Sequence, residues 1–184
     1  MATARILLLL FCFTPCYSNW LPDRDLLINR KQSTALAEAS SPPAARLIRI
    51  AEKELGVHEQ HGKNDGERVE TYLRYVGLPK GHAWCAAFVS WVFGQAGYKL
   101  PKSAWSPQLF PASRLRKEAA PALVLGVYFP ALQRIAHVGL VTGLQHDWVR
   151  SIEGNTNPAG AREGEGVYRR TRHKRFIRCY AAYH

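Results

Sequence analysis

Three positions combine residue types that could perform nucleophilic catalysis. Cys85 opens the apolar run Trp84-Cys85-Ala86-Ala87-Phe88-Val89-Ser90-Trp91, His137 interrupts the apolar stretch Ile135-Ala136-His137-Val138-Gly139-Leu140-Val141, and Glu153-Gly154-Asn155 follows Trp148-Val149-Arg150-Ser151-Ile152. A thiol in the first turn of a helix meets unpaired backbone N–H groups and the positive end of the helix dipole, and both favour the thiolate. A histidine inside an apolar strand needs a polar partner to be buried, and a thiolate would be one. A carboxylate or amide accepting from the far ring nitrogen would fix the tautomer and stabilise the imidazolium. On an extended strand the i, i+2 spacing turns Glu153 and Asn155 the same way, and Gly139 shares the face of His137, leaving space beside the ring. Each residue also has a plainer reading: a small core cysteine, a structural histidine, an ordinary turn.

These side chains require elements to position them. Pro43 starts a first amphipathic helix with Leu47, Ile50, Ala51 and Leu55 on one stripe and Gly56 at its end. Val69, Tyr72, Leu73 and Val76 mark a second helix from Glu67 that stops at Gly77. The run from Trp84 to Gly97 is apolar nearly all round, as a helix at the centre of a domain must be. After a Pro-rich aromatic loop from Pro101 to Pro111, β patterning takes over at Leu123–Phe129, Ala136–Thr142, Asp147–Ile152 and Phe176–Tyr180. Helices followed by strands predict an α+β fold with an antiparallel sheet.

The 184 residues carry 25 Lys and Arg against 14 Asp and Glu, a net charge of +11. This favours polyanionic partners without choosing among them. Arg5, the apolar run Ile6–Phe13 and the small residues near Ser18 resemble a cleaved export signal, and the run is too short for the ~20 residues that span a bilayer. The expected organisation is a signal over 1–18, an arm over 19–43 and one catalytic domain over 44–184, in a secreted or periplasmic monomer. Removing the signal removes Cys12 and Cys16 and leaves Cys85 and Cys179, which could form one bridge but no disulfide framework. His58, Glu59, His61 and His82 lack zinc-site spacing and read as a solvated loop. The basic run Arg169–Arg175 reads as an exposed loop, with no base-reading or stacking motif to indicate nucleic acid.

The same residues resemble a CHAP domain, the papain-like cysteine amidohydrolase/peptidase module of phage endolysins and bacterial wall hydrolases. The similarity rests on Trp84–Trp91, His137-Val138-Gly139 and Ile152–Asn157. It extends to Gly62–Gly66, Ser103-Ala104-Trp105-Ser106 and Gly164–Tyr168, most of the chain from Ala44 to Tyr180. The resemblance implies Cys85 as nucleophile, His137 as general base and then acid, and Glu153 with Asn155 as the orienting pair. The related NlpC/P60 enzymes usually have a histidine as third residue, so Glu153 points to the CHAP side. Many CHAP domains place an oxyanion-holding glutamine before the nucleophile. Here that position is Trp84, which leaves the side-chain donor open. Some relatives bind calcium upstream of the cysteine, but Asn64, Asp65 and Glu67 fall short of the about six to eight oxygens that ion takes. No cofactor or metal is expected.

The function these features predict is peptidoglycan hydrolysis through an acyl-enzyme, by an N-acetylmuramoyl-L-alanine amidase or a peptide endopeptidase. Anionic wall polymers are a further partner, with no nucleic acid and no membrane span. The competing expectations are a non-catalytic wall-binding module with the same fold and an acyl transferase using the same intermediate.

Overall fold

Helix α1 (Pro43–Glu52) begins on a proline whose missing N–H costs nothing in a first turn, and it buries Leu47 and Ala51. Helix α2 (Glu67–Tyr75) has Glu67 and Glu70 at its positive end and buries Val69, Tyr72 and Leu73. Helix α3 (Cys85–Gln95) is buried from Cys85 to Phe93. Two glycine stops act as expected: Gly77 and Gly97, just beyond α2 and α3, take positive φ values that a side chain would resist, whereas α1 ends at Glu52 and turns before the expected stop at Gly56. These elements come from a computed structural model that describes residues 42–184. The export signal and nearly all of the arm lie outside the described residues. No helix among those described is long and apolar enough to cross a membrane.

The architecture is α+β, with three α-helices among the described residues and a six-stranded antiparallel sheet. The strands are β1 (Leu115–Arg116), β2 (Val124–Phe129), β3 (Arg134–Gln145), β4 (Trp148–Thr156), β5 (Gly166–His173) and β6 (Ile177–Ala181), in the spatial order β1-β6-β2-β3-β4-β5. Four of these match the strands read from alternation, each shifted by a few residues. Strand β5 was not expected: most of the basic run that read as an exposed loop is instead an edge strand paired with β4 from Trp148↔His173 to Thr156↔Gly166. Its burial alternates although its residue types do not, which is why its sequence pattern concealed it.

Helix α3 packs Trp84, Phe88 and Phe93 into the main core with Val124, Val138, Leu140 and Ile152 from the sheet. Close approach is possible because residue 154 is glycine. A Cβ there would stand 2.6 Å from the Trp84 ring and 2.9 Å from Phe88 Cβ. The opposite face of the sheet holds a smaller apolar cluster around Leu125, Val141 and Val149.

Candidate active site

Cys85 is the first residue of α3, and β3 and β4 pack against that helix. His137 lies on β3 opposite Val127, and Glu153 lies on β4. Both His137 and Glu153 are fully buried, and Cys85 is 4% exposed. His137 Nε2 is 2.8 Å from Glu153 Oε2. Because Glu153 is a carboxylate, Nε2 carries the proton and donates it, leaving Nδ1 as the nitrogen available to the thiol. Nδ1 is buried and makes no hydrogen bond. Buried polar atoms are almost always paired, and the group that interacts with this side of the ring is the Cys85 thiol.

The charges in this cluster hold each other in place. Burial alone would raise the Cys85 thiol, but His137, the Ser106 hydroxyl and the Val138 N–H outweigh it and leave the thiol more acidic than usual. Burial would likewise depress His137, yet Cys85 and Glu153 together raise it to about 9. Against its own desolvation, Glu153 is kept well below the usual carboxylate range by Arg172 first and His137 second. Each of these shifts runs in the direction that favours a thiolate–imidazolium pair backed by a carboxylate.

Arg172 on β5 grips Glu153 at two points, Nε to Oε1 at 2.8 Å and Nη2 to Oε2 at 2.6 Å. Ser151 Oγ donates to Oε1 at 2.7 Å from two positions back on the same face of β4. Gly139 makes room for this carboxylate rather than for the imidazole, since a Cβ there would come within 2.5 Å of Glu153 Cγ.

Asn155 is not brought to His137. Its φ of +55° and the register shift between Glu153 and Thr156 break the extended geometry on which the i, i+2 expectation depended. The side chain instead accepts from the Trp84 N–H at 3.0 Å and donates to the Gly164 carbonyl at 2.9 Å. Glu59 holds the same tryptophan, accepting from Trp84 Nε1 at 2.8 Å, so a residue read as part of a solvated loop is part of the support for α3. Asn155 and Glu59 thus fix the residue before Cys85 and act as positioning residues. Among the described residues no group of three or more His, Cys, Asp or Glu side chains could hold a metal ion. Cys85 and Cys179 are both free thiols, so the bridge between them is absent.

No family model matches the chain, and no curated protein matches its sequence.

Besides Glu59, Ser106 and Arg172 escaped the sequence reading. Ser106, 4% exposed at the start of a short 3-10 helix (Ser106–Leu109), places Oγ 3.5 Å from Cys85 Sγ, where its proton can stabilise the thiolate. It stands in the Ser103–Ser106 segment, but nothing in that segment's pattern indicates contact with residue 85. Arg172 sits among six other basic residues between Arg169 and Arg178. Only the sheet register distinguishes it from its neighbours.

Proposed function

We propose that the chain is an exported cysteine amidohydrolase of papain-like, CHAP-type fold that cleaves an amide bond in peptidoglycan. The observation that carries this reading is the buried, unpartnered Nδ1 of His137, left for Cys85 by a ring whose other nitrogen is committed to Glu153. A merely structural histidine would have both nitrogens satisfied. The net charge of +11 suits a substrate embedded in anionic wall polymer.

In this mechanism the Cys85 thiolate attacks the scissile carbonyl carbon, and the electron pair of the C=O bond moves onto oxygen. The backbone N–H of Cys85 lies in the first turn of α3, where helix geometry provides it no partner, and it is placed to receive that oxyanion. His137 gives its Nδ1 proton to the departing amine as the C–N bond breaks, which leaves a thioester on Cys85. The now neutral imidazole takes a proton from water as water attacks the thioester. Collapse expels the thiolate and restores the imidazolium. Glu153, held by Arg172 and Ser151, keeps the ring in one tautomer throughout.

The test is mass spectrometry of soluble products from purified peptidoglycan incubated under reducing conditions with residues 19–184 or with the Cys85→Ser variant. Stem peptides freed from intact glycan by the wild type alone identify an amidase, and cut stems or crossbridges an endopeptidase. Identical product profiles for the two proteins would remove the catalytic reading and leave a wall-binding module.

A further inference from the structure

Trp105 is an exposed tryptophan, 49% accessible, immediately before the serine that touches Cys85. Its ring is covered by the Arg134 guanidinium at 4.1 Å from the centroid. Arg134 begins β3, the strand that carries His137. Two chain segments that deliver catalytic partners therefore also deliver this stacked pair. From Trp105 a groove of about 510 Å³ runs past Lys102 and Ala104 to Ala83, Val76 and Leu78. Ala83 lies just before the Trp84–Cys85 step, so the groove leads from the stack toward the start of α3.

The lining has a definite chemical character. Val76, Leu78, Ala83 and Ala104 provide apolar surface, His82, Ser103 and Gln108 provide polar groups, Lys102 provides a cation, and no Asp or Glu takes part. Arg134 adds a second permanent cation beside Trp105. Among the described residues its guanidinium makes one hydrogen bond, from Nη1 to the Ile135 carbonyl at 3.1 Å. The stacking holds the planar fork in a fixed orientation, and the Nε and Nη2 donors are uncommitted. A stacked arginine with spare donors, held against the tryptophan that lines a groove without acids, matches a carboxylate in size and charge.

We propose that the Trp105–Arg134 pair and its groove form a subsite that selects wall peptides carrying a free side carboxylate over the same peptides with that group amidated. Small side chains of the peptide lie along Val76, Leu78, Ala83 and Ala104, and the carboxylate docks on Arg134. This rests on the peptidase reading for its substrate but not on hydrolysis for its test. Binding is read by calorimetry with the Cys85→Ser protein, residues 19–184. The probes are two synthetic wall-peptide fragments that differ only in whether the glutamyl residue bears a carboxylate or a carboxamide.

A charge-assisted contact at a partly exposed site corresponds to about a tenfold preference for the acid form. Arg134→Gln should reduce that preference to within about twofold by weakening the acid form alone, and Arg134→Lys should retain part of it. Trp105→Ala should weaken both forms, and Trp105→Phe should recover most of the loss. Circular dichroism on each variant separates these effects from misfolding. Equal binding of acid and amide by the Cys85→Ser protein, or an undiminished preference in folded Arg134→Gln, overturns the proposal. An Arg134-dependent preference sustains it even if the wild type cleaves nothing, in which case only the hydrolase reading fails.

Discussion

The domain contains two clamps of nearly the same design. In one, Glu54 receives Arg68 at two points, 2.6 Å and 2.5 Å, and a hydroxyl from Tyr72 at 2.5 Å. In the other, Glu153 receives Arg172 at two points and a hydroxyl from Ser151. Both carboxylates are buried. They differ in what stands beyond the clamp. Tyr72 is packed between Trp84, Phe88 and Trp91, and burial pushes its phenol further up from an already high value, so no proton moves near neutrality. Glu153 also holds an imidazole, and that imidazole faces a thiol. A buried carboxylate–arginine pair is therefore not itself a sign of function, because the same device secures a core in one place and orients an imidazole in the other.

Substitutions can break this comparison at several strengths. Cys85→Ser should reduce turnover the most, by about 10⁴-fold or more, while thermal unfolding stays close to wild type because the two side chains have similar volume. Glu153→Gln keeps the shape but loses the charge. A fall in kcat/KM of about 10³-fold is expected, with the alkaline limb of the pH–rate profile moving to lower pH as the imidazolium loses support. In the wild type that limb should lie near pH 9, where His137 gives up its proton, and the acid limb below the ordinary thiol range, where Cys85 gains one. A single limb at an unperturbed thiol pKa would show that no ion pair forms.

The two arginines provide the sharpest contrast. Removing either leaves a buried carboxylate uncompensated, so Arg172→Met and Arg68→Met should each cost about 3 kcal/mol in chemical denaturation. Only Arg172→Met should also shift the pH–rate profile. If Arg68→Met shifts it equally, the two clamps are coupled and the distinction fails. Ser106→Ala should have the smallest effect, about tenfold in alkylation rate by iodoacetamide near neutral pH. The acid limb of that reaction should move upward, because the thiolate loses a hydrogen-bond donor.

How much of the site was legible depended on how far each interaction reaches along the chain. Cys85 could be read because its helix is continuous and its position in the first turn is a local property. His137 stood out as a polar residue in an apolar strand, and Glu153 as one of an i, i+2 polar pair following the next strand. Asn155 was placed on the wrong partner because one left-handed residue reverses the alternation, and no residue type announces that reversal. Arg172, Ser106 and Glu59 were passed over because each gains its role from a partner far away in sequence.

The sequence by itself determined the three helices, four of the six strands, the glycine stops of α2 and α3 and the candidates Cys85, His137 and Glu153, since hydrophobic period and local dihedral preference act over a few residues. Tertiary structure alone decided that a basic run becomes the edge strand β5, that one arginine in it turns inward to Glu153, and that Trp105, one residue before Ser106, meets Arg134. Strand register and long-range packing set those contacts, and both depend on the whole chain minimising its buried, unpaired charge and apolar surface at once.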